Sequence, residues 1–245
     1  MTQQIADFEE NDLTDFDSTV TSGTGTIAAS ATAAMEGSYG ALVTVSAAGD
    51  AAYGRLDGPS GETLVNAELL FDPNSITMAD ADLFTIGLLR RDVDNQQQAF
   101  LDFRYSGGSY QLRIAVRKDD DTNTPGAVIP ITDASHRVKL IWKAATGAGN
   151  NDGSLAIFID GTFKQIISGV DNDTKVVDHT FWGAITGVDA GTSGSFFIDT
   201  IQWNDVPETF VPRTQFLLSL AGLAIPVAMG QIMVPTLAQA TALLG

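Results

Sequence analysis

Two histidines, three tryptophans and two Asp-rich loops are the parts of this 245-residue chain that could do chemistry. His136 opens a strand-like run and His179 follows Asp178 before another, and neither lies near a Ser or Thr in a nucleophile-elbow pattern. The chain has no cysteine, which excludes thiolate metal sites, disulfides and cysteine nucleophiles. Without thiolates, two histidines do not make a transition-metal centre, so each reads as a strand-end side chain hydrogen-bonded to a loop. The runs Asp119-Asp120-Asp121-Thr122-Asn123 and Asp171-Asn172-Asp173 are the oxygen-rich loops that hard cations choose. Asp119, Asp121, Asp171 and Asp173 are therefore the candidate ligands for calcium, although surface turns have the same composition. A sugar site needs an aromatic platform. Trp142 and Trp203 alternate with positions that look buried, whereas Trp182, between Phe181 and Gly183, is the candidate carbohydrate-binding residue, with core packing as the competing role for all three.

Strands must position these groups. Short runs of alternating or β-branched residues, separated by Gly, Asn, Asp, Ser and Pro clusters, fill the chain from about Asp7 to Asp205. The clearest are Ala41–Ala47, Thr63–Phe71, Leu83–Arg90, Ala99–Tyr105, Tyr110–Arg117, His136–Lys143, Leu155–Ile159, Phe163–Ile167, Thr180–Ile185 and Phe196–Trp203. Strands at this spacing without helical patterns between them mean an all-β sandwich or barrel. In Tyr105-Ser-Gly-Gly-Ser-Tyr110, a four-residue loop pairs Tyr105 with Tyr110. That register sets Phe103 opposite Leu112 and Leu101 opposite Ile114 on an apolar face, with Asp102 opposite Arg113 and Arg104 opposite Gln111 on the other. The Asp102–Arg113 pair reads as an ordinary cross-strand ion pair rather than a catalytic one. Asp160-Gly161 between apolar runs marks a second, two-residue hairpin.

Composition sets the outer limits. With 44% hydrophobic and 18% charged residues the chain can bury a large core, and one sandwich of residues 1–205 accounts for most of it. A net charge of −17, with only 13 basic residues, argues against a nucleic-acid partner, because phosphates need Lys and Arg. The opening Met1-Thr-Gln-Gln-Ile-Ala-Asp-Phe-Glu-Glu has neither a basic start nor an apolar stretch and does not read as a secretory signal.

Tyr105-Ser-Gly-Gly-Ser-Tyr-Gln-Leu-Arg, His136-Arg-Val-Lys-Leu-Ile-Trp-Lys-Ala-Ala-Thr, Gly153-Ser-Leu-Ala-Ile-Phe-Ile-Asp-Gly and Ala190-Gly-Thr-Ser-Gly-Ser-Phe-Phe-Ile-Asp resemble the concanavalin A-like, laminin G-like jelly-roll modules of bacterial and phage surface proteins, and Asp7-Phe-Glu-Glu-Asn-Asp-Leu is similar to their usual start. The resemblance covers about four-fifths of the chain. It implies two curved antiparallel sheets of six or seven strands each, and it allows a calcium ion near a sheet edge. Some jelly rolls of this kind hydrolyse polysaccharides with Glu and Asp at alternate positions of one strand; in the equivalent stretch, Gln98–Tyr105, Asp102 stands alone. The sequence expectation is thus not an enzyme but a non-enzymatic structural or adhesive component of a phage virion or cell-surface assembly, located there. A carbohydrate-binding module, assisted by calcium, and a membrane-anchored surface protein are the alternatives.

The anchoring role rests on the end of the chain. Pro207 to Pro212 reads as part of an extended linker over 206–213, because each proline disfavours helix in the residue before it. Residues 214–245 contain no charged side chain and no histidine. Phe216–Val234 is long enough for a bilayer core, but Pro226, Gly222 and Gly230 interrupt it, and Arg213 is its one flanking positive charge. These features point to apolar helices contacting copies of the chain, a particle protein or a membrane through Phe216, Leu217, Leu220, Leu223, Ile225, Met229 and Ile232.

Overall fold

The computed structural model describes residues 3–206. Its strands are β1 (Gln3–Ala6), β2 (Ser18–Ser22), β3 (Thr26–Ser30), β4 (Gly40–Val45), β5 (Ala51–Glu62), β6 (Leu64–Asp72), β7 (Leu83–Arg90), β8 (Gln97–Ser106), β9 (Ser109–Arg117), β10 (Asn123–Pro125), β11 (Ile129–Ile131), β12 (His136–Lys143), β13 (Gly153–Ile159), β14 (Thr162–Val170), β15 (Val177–Thr186) and β16 (Gly194–Asn204). One 3-10 turn, Ala31–Ala33, is the helical element among them, and no helix of the described residues is long and apolar enough to cross a membrane. Of the expected linker only Val206 is described. The expected assembly segment 214–245, with Phe216, Leu217, Leu220, Leu223, Ile225, Met229 and Ile232, lies outside the described residues.

The strands build two antiparallel sheets of eight, rather than the six or seven expected. Sheet A runs β14-β13-β12-β6-β16-β4-β3, with β1 also on β16; sheet B runs β10-β9-β8-β7-β15-β5-β2, with β11 also on β9. Hairpins β7-β8-β9 and β12-β13-β14 follow chain order, whereas β15 crosses back to lie between β5 and β7. This is an all-β sandwich, one of the two architectures that the strand spacing predicts, in the two-sheet antiparallel form that the jelly-roll resemblance implies. The Asp102–Arg113 register is as expected, but Ser106 pairs with Ser109 as well, which shortens the loop to Gly107-Gly108. Both glycines have positive φ, as the favoured two-residue turn requires.

The core lies between the sheets, where inward positions alternate with outward ones. Phe71 of sheet A meets Phe103 of sheet B at 4.9 Å, and Phe196 of sheet A meets Phe84 of sheet B at 5.6 Å. Phe84 and Phe103 also pack edge-on, so four rings join the two layers. Such ring pairs contribute about 0.5–1.5 kcal/mol each beyond the area they bury. Strand β5 is the longest element that sequence patterning misses, because Gly54, Gly58, Pro59 and Gly61 look like a turn. Packing explains two of them: a Cβ on Gly54 would stand 2.2 Å from the Phe16 ring, and one on Gly58 would stand 1.6 Å from Trp203. The glycines admit large rings against a continuous strand.

Candidate functional site

Leu101 and Phe103 of β8, Leu112 and Ile114 of β9, and Trp182 and Ala184 of β15 point into the core. Period-two alternation then turns their neighbours to the outer face of sheet B. One row of that face crosses five strands as Arg55–Phe181–Leu88–Phe100–Ala115. At the usual strand spacing it is about 19 Å long. On one side lies the row Asp57–His179–Arg90–Gln97, with Gln98 beside it after a bulge. On the other side lie Tyr53, opposite Gly183, and the row Thr85–Asp102–Arg113, followed by Leu83–Arg104–Gln111.

Although this face is outside the sandwich core, Leu88 (2% exposed), Phe181 (5%), His179 (1%) and Gln98 (0%) are buried. Neighbouring groups therefore cover them. Asp178 holds part of this cover in place by accepting hydrogen bonds from the backbone N–H of Asp92 and Gly61, both at 2.7 Å, and from the Ser60 hydroxyl at 2.8 Å. Those contacts lower its pKa against the opposing effect of burial and hold the loop after β7 next to His179.

Phe181 organises the centre. Its ring makes edge contacts with His179 at 4.9 Å and Tyr53 at 5.4 Å, and the Arg90 guanidinium lies over it at 5.3 Å. His179 Nδ1 is 3.7 Å from the Asp92 carboxylate, too far for a hydrogen bond, and is buried without a partner. Burial, and then the neighbouring Arg55 charge, lower the His179 pKa, which keeps its imidazole neutral at pH 7. Two more buried atoms on this face lack a partner, Gln98 Oε1 and Arg104 Nε. A buried polar atom without a partner carries a desolvation penalty that a bound ligand would relieve.

Charge is concentrated here too. Arg55, Arg90, Arg104, Arg113 and Arg117 lie on this one face, five of the eight arginines in a chain of net charge −17. Arg113 pairs with Asp102 at 2.8 Å, Arg117 with Asp121 at 3.1 Å, and Arg55 with Asp57. Arg90 and Arg104 have no carboxylate partner among the described residues. Guanidinium groups suit planar carboxylates, and a neutral imidazole beside them can take a proton.

The other expected site residues fall elsewhere. Trp182 is not a sugar platform: it is fully buried, its Nε1 donates to Thr180 Oγ1 at 2.8 Å, and its ring packs where Gly87 lacks a Cβ. Trp142 and Trp203 are core residues as well. Asp119, Asp171 and Asp173 converge, each with one carboxylate oxygen within 4.8 Å of the others. The hydrogen bond between Asp173 and Asp119 raises the Asp173 pKa. Asp121 does not join them; it is drawn off by Lys175 at 2.9 Å and Arg117. Asp7, Glu10 and Asp15 form a second acidic group that sequence reading missed. His136 anchors a turn, as expected, by bonding Asp160 at 2.8 Å and Thr132. His179 differs from expectation, since no loop group satisfies its Nδ1. The missed residues carried a faint signal: if Trp182 is core, alternation turns Phe181 and His179 to the opposite face.

No protein-family model matches the chain, and no curated protein sequence matches it. Solved structures do. An endo-β-1,4-glucuronan lyase from the fungus Trichoderma reesei is 15% identical over 82% of this chain and 94% of its own, with a TM-score of 0.58. The alginate lyase Aly36B is 12% identical over 85% and 98%, with a TM-score of 0.57. A mutant of that lyase in complex with an alginate tetrasaccharide is 17% identical over 70% and 84%, at 0.50. The globular domain of T. cruzi calreticulin is 12% identical over 91% and 94%, at 0.58. At these identities the likeness is one of fold.

These neighbours correct the expectation of a non-enzymatic structural or adhesive component. Polysaccharide lyases occupy the same fold over most of its length, and the paired carboxylates that Gln98–Tyr105 lacks are the requirement of glycoside hydrolysis, one way of breaking a glycosidic bond. His179, read from the sequence as a strand-end side chain bonded to a loop, instead shares the outer face of sheet B with Arg55 and Arg90. Two eight-stranded antiparallel sheets packed face to face, matched along nearly the whole length of these lyases and of a calreticulin domain, give this chain a concanavalin A-like jelly-roll fold.

Proposed function

We propose that the chain binds an acidic polysaccharide across the outer face of sheet B and cleaves it by β-elimination. The observation that carries this reading is His179, a buried neutral imidazole with a free Nδ1, set beside Phe181 and among Arg55 and Arg90. Elimination needs no pair of carboxylates on the protein. A guanidinium from Arg55 or Arg90 neutralises the uronate carboxylate, which acidifies the adjacent C5–H. His179 accepts that proton, the C–H electron pair becomes the C4–C5 double bond, and the bond from C4 to the glycosidic oxygen breaks. The departing oxygen takes a proton from water. Lyases on glucuronan and alginate with the same fold support the substrate class.

The test incubates the full chain with glucuronan and alginate and follows the ultraviolet absorbance of the unsaturated product. His179→Gln is expected to abolish the product while retaining binding. If neither polymer is bound nor cleaved, the reading is wrong. The apolar row Phe181–Leu88–Phe100 favours a second reading, a lectin-like module that binds sugar faces without turnover, and binding with no product from the unaltered chain would select it.

A further inference from the structure

Arg104 lies on the same outer face as His179 but far along it, and the proposed chemistry does not use it. Arg90 sits opposite Gln97 and Arg104 opposite Leu83 on the paired strands β7 and β8. Seven residues separate the two positions on each strand, roughly 20 Å at the usual rise. These are the two arginines of the described residues with no carboxylate partner; Arg55, Arg91, Arg113, Arg117 and Arg137 all have one. Arg90 at least donates to Asn95 O at 3.1 Å and covers Phe181. Arg104 has a buried Nε with no acceptor, beside Gln111, whose Nε2 is held by Ser106 O at 3.3 Å. Asp102 is the carboxylate nearest along the strand, two residues away, and it is already taken by Arg113 and by the Thr85 hydroxyl at 3.0 Å. In a chain of net charge −17, a half-buried guanidinium without a counterion among the described residues is a place for an anion from outside.

We propose that Arg104 forms a second anion subsite, which takes a carboxylate of the same glycan several sugars away from the one at Arg55 and Arg90. The inference rests on the acidic-polysaccharide reading and extends it: a ligand that reaches both positions must be an oligosaccharide, so affinity should grow with chain length until both are engaged. Tight binding of a monosaccharide uronate is not expected.

Calorimetric titration of the full chain with alginate-derived oligouronates of increasing length tests this, with neutral cello-oligosaccharides as the control. The unaltered chain should bind long oligouronates more tightly than short ones. Arg104→Gln should lose about ten- to hundredfold for the long ones, the range for a charge-assisted hydrogen bond, and nothing for the shortest, with Arg104→Lys in between. The subsite is refuted if Arg104→Gln, folded as judged by its thermal transition, keeps the length dependence of the unaltered chain. If the unaltered chain binds no oligouronate at all, the functional reading fails and the subsite with it. Equal binding of cello-oligosaccharides would show that the face takes sugars without selecting anions, and would overturn the subsite.

Discussion

Removing the Asp102–Arg113 pair measures how far the outer face of sheet B is shielded from water. The two groups meet at 2.8 Å, with side-chain exposures of 9% for Asp102 and 28% for Arg113. At an effective dielectric constant near 20, two unit charges at that distance attract by about 6 kcal/mol before desolvation. Desolvation of Asp102 offsets most of this, and a net coupling of about 2 kcal/mol remains, above the roughly 0.2–1 kcal/mol of exposed pairs. Asp102→Ala also frees the Thr85 hydroxyl and leaves Arg113 without its partner, so its total cost should be about 3 kcal/mol. Arg113→Ala should cost a similar amount, because Asp102 stays buried with a single neutral donor. The double variant should lose about 4 kcal/mol rather than the sum. Urea unfolding at pH 7 reads these values; with a slope near 2–3 kcal/mol per M, each single variant should lower the midpoint by about 1 M. A coupling below about 0.5 kcal/mol would refute the reasoning, since the pair would then behave as a surface ion pair on an open sheet. A large loss of coupling in salt would say the same.

Two further outcomes follow from packing and protonation. The His179 pKa lies below its ordinary value of 6.5 because of burial and Arg55, so on acidification the unfolded chain takes up a proton before the folded chain does; the stability this group contributes is complete above that value and is lost as pH falls towards the folded pKa. A pH series of urea midpoints should show this slope in the unaltered chain and a shallower one in His179→Gln, while an identical slope in both would show that His179 is not buried in its neutral form. Gly58→Ala should force Trp203 aside, since the new Cβ would stand 1.6 Å from its ring; the overpacking cost of about 1–3 kcal/mol should lower the thermal midpoint by roughly 5 °C. Gly147→Ala, where the nearest atom would be 3.8 Å away, is the control and should change little.

The strands rich in alternating apolar residues were legible because their pattern is local. β7 and β12 match the sequence-based bounds residue for residue, and the β8–β9 register follows from the Gly107-Gly108 turn signal together with period-two alternation. β5 was illegible for an equally definite reason. Its glycines read as turn residues, whereas the role of Gly54 and Gly58 is to admit Phe16 and Trp203, which lie far away in the chain. The short strands β1, β2, β3, β10 and β11 were missed because edge pairing, rather than their own composition, holds them in place.

The amino-acid sequence by itself determined the all-β class, one hairpin register and the place of a second hairpin turn, the excess of negative charge and the absence of thiol chemistry, since each depends on residue type or on neighbours a few positions apart. It also showed that Asp102 and Arg113 would be partners. Only the tertiary structure decided which face of each strand is recessed. Trp182, chosen as a sugar platform from its flanking residues, went to the core because Gly87 opens space for it there. The same turn of the strand sent Phe181 and His179 outward. Tyr53, Arg55, Arg90, Arg104 and His179 are spread across more than a hundred residues, and β15 must cross between β5 and β7 before they share one surface. That juxtaposition depends on which strands neighbour each other, which local sequence patterns do not encode, and it is where the candidate chemistry of this protein lies.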